Sequence, residues 1–158
     1  MSLRVANHRL IRCGPRDVFS VLADGNLLSG WIHESSFVDD IDQAWPLPGS
    51  QSTHSSRLGP IPLRDRTSIV EWDPPRHVTL TISGRLVGST VVTLDVEAGA
   101  NGCLAHISET VIHGPGLLVP RTLRRAGLHL NNGERLERLA RLAETRAQRT
   151  DLGRHVHT

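Results

Sequence analysis

The chain is 158 residues long, the size of one ordinary domain, with enough sequence for a single substantial core. Hydrophobic residues make up 38% and charged residues 22%, a balance that excludes a disordered chain. The net charge is +2; all 18 basic residues are Arg and mix with acidic ones except at Arg121, Arg124 and Arg125, and aromatics are 3% with no Tyr, which excludes a basic, aromatic-studded surface for nucleic acid.

Along the chain, segment 3–13 reads as a strand, with Val5, Leu10 and Ile11 among polar residues, ending at Gly14-Pro15. Pro15 suits the first position of a helix, where a missing N–H costs nothing, and Asp17 favours the positive end of the helix dipole. Val18, Phe19, Val21 and Leu22 then form the apolar stripe of a short helix, broken at Asp24-Gly25-Asn26, and Leu27, Leu28 and Trp31 suggest a second one. From about residue 34 the pattern turns to period two: 34–42, 50–58, 64–73, 77–84, 88–98 and 102–113 read as strands, separated by turns rich in Pro and Gly. Consecutive strands joined by short turns predict an antiparallel meander.

Helix is expected again from about Pro120 to Gln148, with Leu128, Leu136, Leu139, Leu142 and Ala143 on one broad apolar face and Glu134, Arg135, Glu137, Arg138, Arg141 and Glu144 around the rest. Gly127 and Gly133 weaken this helix and are expected to bend it, and Asp151–Thr158 is expected to fray. The expected domain organisation is one domain over residues 1–150 and a flexible polar tail over 151–158. The element order (strand, two short helices, six strands, long helix) predicts an α+β protein in which a curved seven-stranded antiparallel sheet wraps the C-terminal helix. Such a sheet does not close fully on one helix, and the gap between them suits a ligand.

Several stretches carry a family resemblance. Leu10–Phe19 gives an apolar strand end followed by P-x-x-V-F. Asp24 and Trp31 lie between the short helices. Ile69–Arg76 contains V-E-W-D-P-P-R, and Leu136–Ala140 with Glu144 closes the last helix. In this order, over residues 3 to about 147, the chain resembles the SRPBCC or START-like superfamily of polyketide cyclase/dehydrase-like proteins with the helix-grip fold. The resemblance implies a cavity for lipids, hormones, polyketides or other apolar molecules, and in some members ring closure or dehydration. No shared catalytic motif transfers residue by residue. Members acting on aromatic polyketides commonly use Tyr, Trp and Arg, and Tyr is absent here. The resemblance also implies that the first and last strands are neighbours, which would bring Cys13 close to Cys103.

Individual residues suggest chemistry, each against a plainer alternative. His54, in the polar run Ser50–Ser56, suits a general base if its strand faces the cavity, or belongs to a solvated edge strand. Alternation puts Arg66, Ser68, Val70 and Trp72 on one face. Val70 and Trp72 suggest that this face points inward, so that Arg66 either orients an anionic or carbonyl group or sits at the rim beside Asp65 or Glu71. In 103–111, either Glu109 faces in with Cys103, Ala105, Ile107 and Val111, needing a partner such as Arg66, or His106 does. Asn131 and Asn132 suit a ligand's polar end or a helix irregularity beside Gly133, while Leu117, Leu118, Leu123 and Leu128 suit cavity or core lining. The cavity candidates are therefore His54, Arg66, Ser68, Trp72, Glu109, Leu123, Leu128 and Asn131, with no catalytic residue assigned.

His33, Glu34, Asp39, Asp40 and Asp42 have no metal-motif spacing, Cys13 and Cys103 form no metal-type pair, and neither a phosphate loop nor a nucleophile elbow occurs. No metal and no cofactor are expected. Met1–Leu10 lacks the apolar run of a secretory signal, and no uncharged apolar run approaches the roughly 20 residues needed to span a bilayer. The expectation is a cytoplasmic protein with reduced thiols, no stable membrane insertion and no nucleic-acid partner. A homodimer is left open, since no heptad seam argues for one.

Three functions remain: binding or transport of a lipid-like or polyketide-like hydrophobic molecule; a cyclase/dehydratase-like lyase or isomerase, working without metal in the same cavity; or an interaction module with a filled core, touching an acidic partner through Arg121, Arg124 and Arg125.

Overall fold

A computed structural model describes residues 4–32, 37–58, 60–84 and 88–156. The first strand, β1 (Arg4–Ile11), leads into α1 (Pro15–Ala23), a 3₁₀ turn (Gly25–Leu27) and the single-turn α2 (Leu28–Trp31). Six strands follow: β2 (Phe37–Ile41), β3 (Gln51–Leu58), β4 (Ile61–Asp73), β5 (His77–Gly84), β6 (Gly88–Gly99) and β7 (Gly102–His113). A second 3₁₀ turn (Pro115–Leu118) delivers the chain to α3 (Arg121–Val156).

The strands form one seven-stranded sheet in the order β1-β7-β6-β5-β4-β3-β2. Every neighbouring pair is antiparallel, so a meander from β2 to β7 is closed by β1 on the far side of β7. Ile11 of β1 lies opposite Cys103 of β7, and Cys13 and Cys103 are both buried free thiols.

Local chemistry sets the helix starts. The Asp17 carboxylate accepts the Gly14 N–H at 3.2 Å, and the Asp24 carboxylate accepts the Asn26 N–H at 3.1 Å. α1 buries the expected Val18, Phe19, Val21 and Leu22. α3 is continuous through Gly127 and Gly133 and passes Gln148, the expected end, to reach Val156. No proline interrupts 149–156, Gly153 costs a helix only about 1 kcal/mol, and the Thr150 hydroxyl donates back to the Arg146 carbonyl at 3.0 Å, so the ladder continues. The helix is 36 residues long, about 54 Å at the α-helical rise.

One end of the sheet–helix interface is densely packed. Leu136, Leu139, Ala140 and Ala143 of α3 are buried with Val18, Val21 and Leu22 of α1, Leu28 and Trp31 of α2, and Leu94, Ile107 and Ala105 of the sheet. The other end differs. Between Arg121 and Leu130 no α3 side chain is fully buried, and Leu123 and Leu130 are more than half exposed.

A bulge in β4 decides which side chains face this interior. Ile69 pairs with Leu80 and Glu71 with Thr79, which leaves Val70 as an extra residue and shifts the alternation by one. Thr67 and Ile69 point inward before it and Trp72 after it, where Trp72 lies against Phe19 with ring centroids 5.4 Å apart. The expected inward face of Arg66, Ser68, Val70 and Trp72 is thus corrected. Arg66 and Ser68 face outward, and Val70 is 47% exposed.

Candidate functional site

Beneath the N-terminal half of α3 lies a cavity of about 690 Å³. Its apolar wall comes from Ile82 of β5, Val111 of β7, Ile32 after α2, Val119 and the α3 residues Leu123 and Leu128. Gly127 faces it too, and a Cβ built there would meet no atom within 4 Å, so the absent side chain is part of the space.

The polar end is built around Glu109 of β7 and Arg135 of α3, each with a side chain only 3% exposed. Arg135 Nη1 donates to Glu109 Oε1 at 2.8 Å and to Asn132 Oδ1 at 2.9 Å, and its Nε donates to the Ile32 carbonyl at 3.3 Å. Arg138 donates from Nε and Nη2 to the Trp31 carbonyl at 3.2 and 3.1 Å. The two guanidiniums thereby satisfy carbonyls at the end of α2 and tie it to α3. Arg135 leaves Nη2 without a protein acceptor among the described residues, and Glu109 leaves Oε2 without a donor. Both residues line the cavity. Thr90 Oγ1, on the same wall, is buried without a partner. Side by side, the cavity offers an anionic acceptor and a cationic donor inside an apolar enclosure.

Of the sequence candidates, Glu109, Leu123, Leu128 and Asn131 line this cavity. Glu109 faces inward with Cys103, Ala105, Ile107 and Val111, while His106 lies on the other face beside His8, ring centroids 5.9 Å apart. Its partner is Arg135 rather than Arg66, because Arg66 stands on the outer face of the sheet. His54 is inside but sealed in the sheet's inner face. It is 1% exposed, with Nε2 2.9 Å from Thr67 Oγ1, and burial holds its pKa below the ordinary value against a smaller opposing pull from Asp39. Trp72 belongs to the packing around Phe19. Leu117 and Leu118 are 46% and 86% exposed and line neither core nor cavity, a correction that follows from their place on a surface 3₁₀ turn. Asn132 is buried as an acceptor for Arg135 in an unbroken helix.

The sequence pattern places Arg135 among the charges around the rest of α3, off its apolar face. The signal for its true place is its spacing: Asn132, Arg135, Leu139 and Ala143 follow at i, i+3, i+7 and i+11, which is the buried stripe of α3.

The acidic segment splits up. Asp40 accepts from the Ile41 N–H at 3.0 Å, Asp42 from the Gln51 N–H at 2.8 Å and Asp39 from the Ser55 hydroxyl, while His33 and Glu34 lie outside the described residues. Among the described residues no three His, Cys, Asp or Glu side chains gather as metal ligands, and no helix is long and apolar enough to cross a membrane.

A sheet gripping a long C-terminal helix over an internal cavity defines the helix-grip class. The chain belongs to the family described as polyketide cyclase/dehydrase and lipid transport, whose model matches residues 2–144, within the SRPBCC or START-like superfamily. Protein CV1439 from Chromobacterium violaceum has the same fold, with a TM-score of 0.70 at 17% identity over 89% of this chain and 97% of that one. SA2116 from Staphylococcus aureus, a protein of unknown function, superposes with a TM-score of 0.74 at 11% identity over 94% and 97% of the two chains. Ara h 8.0201 does so with a TM-score of 0.67 at 15% identity over 94% and 99%. No curated protein matches the chain at a significant level. Fold and family together support a generic role in holding hydrophobic ligands.

Proposed function

We propose that this protein binds or carries a lipid-like or polyketide-like molecule, with its apolar body between the sheet and the first half of α3 and a polar group against Glu109 and Arg135. The observation that carries this reading is the combination of an open apolar volume under α3 with the buried Glu109–Arg135 pair on its wall. Leu123, Leu128 and Asn131 serve as lining. An open volume of about 690 Å³ lies in the usual range for small-molecule sites and speaks against an interaction module with a filled core.

The same pair gives the cyclase or dehydratase reading a foothold. A carboxylate that accepts a proton beside a guanidinium that polarises a carbonyl is the equipment for enolisation and water loss.

The test is native mass spectrometry of gently purified protein, followed by solvent extraction, beside the variant Gly127→Phe. The variant's ring fills open space without touching the packed end. An extracted apolar molecule, bound at least about tenfold more weakly by Gly127→Phe at unchanged melting temperature, supports the reading. A clean unliganded mass, with no melting shift across fatty acids, sterols and aromatic polyketides, overturns it. Incubating the extracted molecule with fresh protein separates carrier from enzyme.

A further inference from the structure

The outer face of the sheet carries a second concavity, of about 1260 Å³, across β2 to β5. It holds the two sequence candidates that the β4 bulge keeps out of the interior, Arg66 and Ser68. The register surrounds Arg66 with donors: Thr53 of β3 and Ser83 of β5 lie directly beside it, and Arg64 and Ser68 lie two residues away along β4. Arg57 completes the basic lining. Among the described residues, the ion pair on these guanidiniums is Arg64 with Asp39 at 3.8 Å, a loose contact on a side chain 73% exposed. Arg57 and Arg66 have no acidic partner there.

The two concavities share walls. Ser56, Arg57, Leu63, Asp65 and Gly84 are walls of both, so only these residues stand between the outer groove and the inner cavity there. The acidic wall residue at this junction, Asp65, belongs to the inward-facing set with Thr67 and Ile69; its carboxyl lies against Gly84 and burial pushes its pKa up.

We infer that the ligand is a phosphate-bearing amphiphile, its body in the inner cavity with a polar group beside Glu109 and Arg135, and its phosphate at the outer groove against Arg57, Arg64 and Arg66. This rests on the cavity reading above and names the ligand class. The charge layout points to it. Inside, Glu109 neutralises Arg135 and Glu134 pairs with Arg138, which leaves Arg124 as the cation of the α3 wall without an acidic partner among the described residues. Outside, the surplus is positive and comes from guanidiniums, whose planar donor forks match phosphate oxygens. Thr53, Ser68 and Ser83 add neutral donors at the same face. A phosphate has enough acceptor oxygens to use several of these groups at once, which a single hydroxyl head does not.

The experiment compares four probes by titration calorimetry: dodecyl phosphate, dodecanoate, dodecanol and inorganic phosphate. It uses the wild type, the exposed double variant Arg64→Gln/Arg66→Gln and the cavity variant Gly127→Phe. The expected result is dodecyl phosphate binding about tenfold or more tightly than dodecanol, with that preference lost in the arginine variant and shrinking at high salt. Both compounds should weaken in Gly127→Phe, and inorganic phosphate alone should bind weakly. Equal binding of dodecyl phosphate and dodecanol, or a preference that survives the arginine variant, overturns the inference and leaves the cavity reading standing. Dodecanoate matching dodecyl phosphate replaces phosphate by any anion and overturns the named class. Phosphate binding that ignores Gly127→Phe marks a surface anion site and overturns the link to the cavity. Failure of every dodecyl probe overturns this inference, while the cavity reading stands or falls by the extraction experiment above.

Discussion

The two halves of α3 do opposite things with one continuous backbone. From Leu136 to Ala143 the helix presses apolar side chains into a sealed core, while from Leu123 to Asn131 it spans open space. The Glu109–Arg135 pair sits at the junction, where the packed stripe gives way to the cavity. Stability and ligand capacity are thus segregated along a single element. The packed half supplies the free energy that lets the other half leave apolar surface uncovered.

Substitutions on either side of the junction should show this division. The largest loss is expected at the junction itself. Glu109→Ala strands a buried guanidinium and should cost about 3–5 kcal/mol in denaturant unfolding, whereas Glu109→Leu with Arg135→Met should recover most of that. A cost below about 1 kcal/mol for the single variant would show that the pair is not sealed. Next, Leu139→Ala in the packed half should cost about 2–5 kcal/mol, and Leu128→Ala, beside the cavity, less than about 1 kcal/mol, because the second removes few contacts. Similar costs at the two positions would contradict the division.

The thiols probe the packed half without substitution. Burial, with smaller contributions from neighbouring negative charges, pushes Cys13 up to about 12 and Cys103 to about 11. In native protein near neutral pH iodoacetamide should therefore leave both unmodified by mass spectrometry, and denaturant should expose both. Rapid labelling of the native state would show that this end opens readily.

The smallest effects are expected from two histidines with opposite signs. His77 has a raised pKa, chiefly through its hydrogen bond to Asp95 with Nδ1–Oδ1 at 2.6 Å. Its stabilising contribution is complete below the ordinary value of 6.5 and is lost as pH rises through the raised folded value. His54 is shifted the other way by burial, so its effect on stability worsens as pH falls through 6.5. His77→Gln should therefore cost more at about pH 5.5 than at about pH 8, by less than about 1 kcal/mol, and His54→Gln should do relatively better at the lower pH. Thermal melts at both values check the signs, and parallel shifts for the two variants would sink this assignment.

Much of the fold was legible because it follows from repeated local signals. Alternation marked the strands, and Gly14-Pro15 with Asp17 marked the start of α1. The site was legible only in part. Glu109, Leu123, Leu128 and Asn131 reach the cavity. Arg66 and Ser68 were misplaced because one unpaired residue, Val70, reverses the parity of everything before it relative to Trp72, and no residue type announces a bulge. Arg135 was overlooked because an Arg among Glu134, Glu137 and Arg138 looks like surface until its helical phase is compared with that of Leu139. The extended last turns of α3 show the same limit: propensity alone does not mark an end where no breaker stands.

The order of the sheet also bears on its free edges. A seven-stranded open sheet has two free edges, and unpaired strand edges invite pairing with other chains. Along β1 the last helix acts as a guard rail: Asn7 donates to the His129 carbonyl at 3.1 Å, and the Arg12 N–H is taken by Glu144 at 2.9 Å. At the opposite margin β2 is five residues long, carries Asp39 and Asp40, and breaks register between Val38 and Asp40. A short, irregular and acidic margin is a poor template for a neighbour's strand, so both ends of the open sheet are blunted by local chemistry rather than by a covering layer.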